Sequence, residues 1–341
     1  MESVLAVHNP AVQNPVRHRA EQRTSERSIK RDVRAAMYGA LKGPLLGRYQ
    51  VDWRWPESVD RAAWNPFDTP SATGSKLAGT YARSHGTRKG VVVCAHPMRR
   101  SAKGFFLQSG RTEMLLRNGY DVLLFDFNGF GESPHGDFDY PEDVLAAAEV
   151  ARHVAGGTPV HAFGASFGAG WTLCAAARKP VFDSIVLENP WTTIEEYYNR
   201  NPGALGAVAA LSLLFPRTAR SLRPIDMVRA LPPASRLMMI GCAGDRTTPV
   251  EMTRRLDEAC PIPAARRDLW LVPVAGHLAA YESDAASYER RVIGFLDRAA
   301  PRPAEAASGD LSGFGLPDAS CLLYTSPSPR DYAASRMPSS A

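Results

Sequence analysis

From about residue 75 onward the chain alternates two patterns. Short unbroken apolar runs occupy residues 90–96 (GVVVCAH), 121–127 (DVLLFDF), 160–164, 184–187, 237–241 and 269–274, and an earlier run, KLAGTYAR, precedes them. Between them, at 102–118, 141–155, 167–178, 249–259 and 282–299, apolar residues recur every three or four positions. Continuous apolar runs of this length fit strands buried on both faces, and strand–helix alternation is the pattern of a mostly parallel sheet covered by helices. The expected fold class is α/β, with one domain over 75–299. Residues 191–233 interrupt the alternation once. Their Trp191, Tyr197, Tyr198, Leu211, Leu213, Leu214 and Phe215 predict a small helical lid over the C-terminal edge of the sheet. A plain helical insertion packed on the core is the alternative.

Outside that domain the patterns weaken. Residues 1–74 read as an extension in which 25–42 place Ile29, Val33, Ala36, Met37, Ala40 and Leu41 at helical spacing, opposite Arg27, Lys30, Arg31 and Arg34. A basic amphipathic helix of this kind can lie on a membrane surface. Covering an apolar patch of its own domain is the preferred reading. Residues 300–320, rich in Ala, Gly and Pro, read as a linker. The last 21 residues, CLLYTSPSPRDYAASRMPSSA, resemble translated sequencing-adapter sequence and are set aside.

Composition narrows the class without deciding it. With 341 residues, 45% hydrophobic and 22% charged, the chain is long enough for one large domain with a sizeable core. The net charge of +5 comes from 40 basic residues interspersed with 35 acidic ones, and the basic stretch carries no interleaved aromatics, so nucleic acid is not an expected partner. No apolar run approaches the roughly 20 residues that span a bilayer. Cys94, Cys174, Cys242 and Cys260 stand singly, with no metal-binding spacing, as expected of reduced thiols in a soluble cytoplasmic protein. Oligomeric state is left open.

The chemistry concentrates in the second half. Gly164-Ala165-Ser166-Phe167-Gly168 fits G-x-S-x-G, with a predicted strand before it and a predicted helix after it, the context in which that turn exposes a serine hydroxyl. A serine needs a base to take its proton, and His277, in VPVAGHLAAY, is the one histidine that follows Ser166. The imidazole needs a carboxylate to fix its tautomer. Asp245, in GCAGDRTTPV, follows a predicted strand and lies between the two; Glu188, after SIVLE, is the second choice. Oxyanion donors would be the N–H of Phe167 and, on the loop 94–99, that of Met98, because Pro97 has none. His96 on the same loop and Trp191 at the head of the lid are expected to face the substrate. There is no GxxxxGK[ST], HExxH or strand-linked GxGxxG, so no metal or cofactor is implied.

GASFG, AGD…TP, AGH, VVVCAHPM and FDFNGFGES together resemble the alpha/beta-hydrolase superfamily, particularly small-lidded bacterial hydrolases of the serine aminopeptidase-like or esterase type, over about 75–299. The resemblance implies the alpha/beta-hydrolase fold, a Ser166, Asp245, His277 triad, and Met98 and Phe167 as oxyanion donors. It also implies a small-molecule acyl substrate: a carboxylic ester first, a thioester or short peptide next. Two positions depart from the family pattern. His96-Pro97 stands where His-Gly is usual, and Asn128 stands where D-x-R-G-x-G-x-S has arginine. A catalytically silent module that binds a ligand or partner is the alternative.

Overall fold

The computed structural model describes residues 47–51, 53–198 and 221–299, with isolated positions within 36–42 and 203–219. Eight strands form one sheet: β1 (Trp64–Pro70), β2 (Lys76–Ala82), β3 (Gly90–Ala95), β4 (Tyr120–Phe125), β5 (Val160–Ala165), β6 (Ser184–Glu188), β7 (Leu237–Cys242) and β8 (Arg267–Val272). Their spatial order is β1-β2-β4-β3-β5-β6-β7-β8. All pairs from β4 to β8 are parallel; β1–β2 and β2–β4 are antiparallel. Every residue of β3, β4, β5, β6 and β7 is buried, which is why the chain writes them as unbroken apolar runs.

Helices cover both faces. On one side α3 (Tyr140–Ala155) and α4 (Phe167–Arg178) set Val144, Ala147 and Leu173 against Val91, Val93 and Leu123. On the other, α1 (Gly104–Gln108), α2 (Arg111–Arg117) and α9 (Ala285–Leu296) bring Phe106, Met114, Leu115, Val292 and Phe295 against Val92, Leu124 and Met238. Three shorter helices, α5 (Ile194–Tyr197), α6 (Pro224–Met227) and α8 (Ala280–Ser283), flank the C-terminal edge and α9, while α7 (Val250–Ala259) joins the first face through Met252 and Leu256.

Three elements differ from the pattern-based expectation. The helix predicted over 102–118 is two, α1 and α2, because Gly110 adopts φ 71° between them and only glycine does so without strain. The helix predicted over 282–299 breaks at Asp284, whose side chain accepts from Ser287 N–H and starts α9 afresh. Strand β1 precedes the expected start of the sheet at 75. Its Pro66 and Pro70 argue against a strand in sequence, but proline is tolerated on an edge, where β1 sits.

Of the helix predicted over 25–42 only positions 36, 37, 39, 40 and 42 are described, and these are helical. The residue that anchors them is Lys42. Its ammonium is buried, donates to Asn128 Oδ1 at 2.6 Å and to the Asp137 carbonyl at 2.5 Å, and lies 4.4 Å from the Tyr140 ring centroid. Burial pushes its pKa down to about 7. The apolar run 204–215 lies almost wholly outside the described residues, as do 300–341. Among the described residues no helix is long and apolar enough to cross a membrane.

The chain leaves β3 to one side for β4 and returns on the other side for β5, so the sheet order reverses at β3. In parallel sheets that reversal opens a crevice at the carboxyl ends of the strands. The loops after β3, β5, β6, β7 and β8 all meet there.

Candidate active site

Ser166 directly follows β5 and sits at φ 51°, ψ −112°, a conformation that a non-glycine residue holds only when its surroundings impose it. Two glycines impose it. A Cβ on Gly164 would stand 2.6 Å from Ala169 Cα, and one on Gly168 would stand 2.1 Å from the Ala95 carbonyl oxygen at the end of β3. The turn can therefore press against both the neighbouring strand and its own helix, and the serine side chain is thrown to the crevice side. Ser166 N–H donates to the Glu188 carbonyl at 2.8 Å, tying the turn to the end of β6.

The loop after β8 brings His277 to this serine. His277 Nε2 lies 2.8 Å from Ser166 Oγ, and Nδ1 lies 2.6 Å from Asp245 Oδ2 on the loop after β7. A carboxylate only accepts, so Nδ1 carries the proton toward Asp245 and Nε2 is left to receive the serine's. The Asp245 carboxylate is buried while the imidazole is one-fifth exposed. Burial alone would raise the Asp245 pKa. The donors around it outweigh burial and hold it below the ordinary carboxylate value: His277, then Thr248 through hydroxyl and backbone. The Thr247 N–H, at 2.7 Å from Oδ1, completes a local turn around the acid.

Phe167 is the first residue of α4, where helical geometry offers its N–H no partner. Met98 is half-buried on the β3 loop, with its thioether accepting from the Tyr198 hydroxyl at 3.6 Å. His96 has a bracing place instead of a substrate-facing one. It is fully buried, its Nδ1 meets the Pro97 carbonyl at 2.8 Å, its Nε2 accepts from Phe127 N–H at 3.1 Å, and burial pushes its pKa down to about 4. Trp191 is also buried. Its ring fills the space above Gly170, where a Cβ would come within 2.2 Å of it, and its Nε1 donates to the Phe167 carbonyl at 3.3 Å. It supports the first turn of α4 and offers little surface to a ligand. Glu188, the second choice of acid, is taken up by Arg111, which grips it through two nitrogens at 2.7 and 3.0 Å.

Sequence reasoning missed four residues. Tyr197, named only as a lid aromatic, hydrogen-bonds the Ser166 side chain, and burial holds its phenol well above the usual tyrosine pKa. Thr248 was legible, since a threonine three residues after an aspartate commonly closes a turn on it. Asn189 and Arg111 carried no local signal, because their contacts cross the sheet.

Comparison with known proteins now bears on this geometry. Residues 86–238 match the family model for serine aminopeptidase, S33 (Hydrolase_4). An esterase of Pyrococcus furiosus superposes with a TM-score of 0.57 at 18% identity, over 73% of this chain and 97% of that one. The esterase domain of a Rhodothermus marinus protein gives 0.52 at 18%, over 69% and 99%. The fold is that of the alpha/beta-hydrolase superfamily. Its range of chemistry is visible in a third match, dipeptidyl peptidase 4 of Porphyromonas gingivalis, with a TM-score of 0.54 at 15% identity over 70% of this chain and 35% of that one. A search of curated proteins gives no match.

Within the alpha/beta-hydrolase frame the two departures have physical counterparts. Pro97 stiffens the β3 loop, and His96 locks it by bonding across to Phe127 on the loop after β4. Where the family's arginine would stand, the Asn128 amide and N–H donate to Asp143 at 2.7 and 3.0 Å, and Lys42 brings a cation to Asn128 from 86 positions away in the chain.

Proposed function

We propose that this protein is a serine hydrolase that cleaves a carboxylic ester or a related acyl bond such as a thioester. The observation that carries the reading is the continuous relay from Ser166 Oγ through His277 to Asp245, at 2.8 and 2.6 Å, with the serine held in a strained turn. Distances of this size are those a general base and its orienting carboxylate require.

In the reaction Ser166 Oγ attacks the acyl carbon while its proton passes to His277 Nε2. Asp245 steadies the imidazolium, and the N–H groups of Phe167 and Met98 hold the tetrahedral oxyanion. Collapse expels the alcohol or thiol, which takes the proton from His277. Water, activated by the same nitrogen, then releases the acid and restores the serine. The acyl or alcohol part would be apolar, since Tyr197 stands beside the serine with Tyr198 at 5.1 Å between ring centroids. A cytoplasmic setting fits four buried, unpaired cysteines.

The test is labelling of the full chain by a fluorophosphonate probe, with turnover of a p-nitrophenyl ester series run beside aminoacyl p-nitroanilides. Labelling lost on heating and in Ser166→Ala, with ester turnover above anilide turnover, is the expected result. Anilide turnover that exceeds ester turnover would make the enzyme a peptidase. A wild type inert to probe and substrates alike would point to the silent binding module.

A further inference from the structure

Strand β6 ends at Glu188, and Glu188 with the following Asn189 bonds to Ser166, to Asp245 and to the residue after His277. The Glu188 carbonyl accepts from Ser166 N–H at 2.8 Å. The Asn189 side chain does two separate things. Its Nδ2 donates to Asp245 Oδ2 at 2.7 Å, the same oxygen that faces His277, and its Oδ1 accepts from Leu278 N–H, the residue after His277, at 3.2 Å. Asn189 is fully buried and held at φ 51°, a left-handed conformation that asparagine tolerates better than most residues. Leu278 is also left-handed, at φ 60°. Two unfavourable backbone conformations thus persist side by side, joined by the hydrogen bond between them.

We infer that Asn189 is a positioning residue of the hydrolase, its amide setting both the charge on Asp245 and the place of the His277 loop. The inference rests on the reading of Ser166 as nucleophile. A structural asparagine would need only to satisfy its own buried amide. This one delivers its donor to the acid that orients the base, and its acceptor to the backbone N–H of the residue that follows the base. The groups around it support that division of labour. Cys242 lies 3.5 Å from Oδ1 and remains a thiol, burial pushing its pKa up to about 12, while the Glu188 charge behind is consumed by Arg111 and by the Tyr288 hydroxyl at 2.6 Å. Arg111 also donates to the Leu278 carbonyl at 2.9 Å, so the N–H and the C=O of Leu278 are both held, one from the residue after β6 and the other from α2.

Two variants separate the functions. Asn189→Asp keeps the shape and the acceptor for Leu278 N–H but removes the donor and sets a second carboxylate beside Asp245. Asn189→Gly removes both contacts while accepting φ 51° without strain. The expected result for Asn189→Asp is a fall in kcat of about tenfold to a hundredfold with KM within about threefold, as for one lost charge-assisted bond. The acidic limb of kcat/KM should also move to higher pH, because extra negative charge near His277 favours its protonated form. Asn189→Gly should lose at least as much kcat and shift the limb less. Either variant losing activity only through KM, or with an unmoved pH profile, would make Asn189 merely structural; unchanged kinetics in both folded variants would overturn the inference outright. A wild type unreactive to fluorophosphonate and esters overturns the nucleophile reading and this inference with it, whereas an active wild type with indifferent variants overturns this inference alone.

Discussion

At Asp245 a single oxygen, Oδ2, receives the Asn189 amide, the Thr248 hydroxyl and His277 Nδ1. Burial would raise its pKa, but the His277 and Thr248 donors outweigh burial and depress it, so this carboxylate is easier to ionise in the folded chain than in the unfolded one. The sign of the linkage follows: the stability it contributes is fully present above the unfolded value near 4 and is lost as pH falls through the lower folded value. Asp245→Asn should therefore melt below the wild type at pH 7, by about 1–3 kcal/mol, with the gap closing as pH drops under about 4. Thermal denaturation across that range measures it. The same substitution should lower kcat on the order of a thousandfold or more, because the imidazole loses the partner that fixes its tautomer.

At the scale of elements, the turn between β5 and α4 and the two loops that meet it behave as one unit. Gly168→Ala would drive a methyl into the Ala95 and His96 carbonyls, and backbone cannot swing aside as a side chain can. The β3 loop and the start of α4 would part, separating Met98 from Phe167. A fall in kcat of about a hundredfold or more is expected, with about 1–3 kcal/mol of destabilisation from overpacking. Gly294, inside α9, is the contrasting case. A Cβ there meets nothing within 4 Å, so Gly294→Ala should stabilise by about 0.5–1 kcal/mol and leave turnover untouched, as urea titration and ester assay will show.

How much of this was legible in the sequence depends on how local each signal is. The apolar runs revealed the buried parallel strands because burial on both faces leaves few polar positions, and those few, such as Asp121 and Glu188, are paired. Ser166 stood out because its turn needs glycines at fixed offsets. His277 and Asp245 stood out because each follows such a run and their order suits the fold. Edge strand β1 stayed hidden, since half its residues face solvent and two are proline. His96 and Trp191 were assigned to substrate for lack of anything in their own neighbourhoods to show that Phe127, Phe167 and Gly170 would engage them. Lys42, Arg111 and Asn189 act on residues 86, 77 and 56 positions away, and no window along the chain contains both ends.

At the scale of the whole molecule, Arg111 and Glu188 form an ion pair with both side chains fully enclosed. Removing one partner of such a pair strands the other, at a cost of about 3–5 kcal/mol. Glu188→Ala should accordingly lower the melting temperature by about 6–20 °C for a domain of this size, as calorimetry will measure. It should also slow turnover beyond what partial unfolding explains, since Arg111 then loses the anchor from which it holds Leu278. The segment that supplies Trp191, Tyr197 and Tyr198 begins at Pro190, immediately past the dipeptide that holds the relay. The aromatic segment and the Ser166–His277–Asp245 relay are thus attached to opposite sides of one fixed joint. Trp191 is committed to the first turn of α4 and Tyr197 to the Ser166 side chain, so any exchange of the segment between Pro190 and β7 has to keep both anchors if the serine turn is to hold its shape.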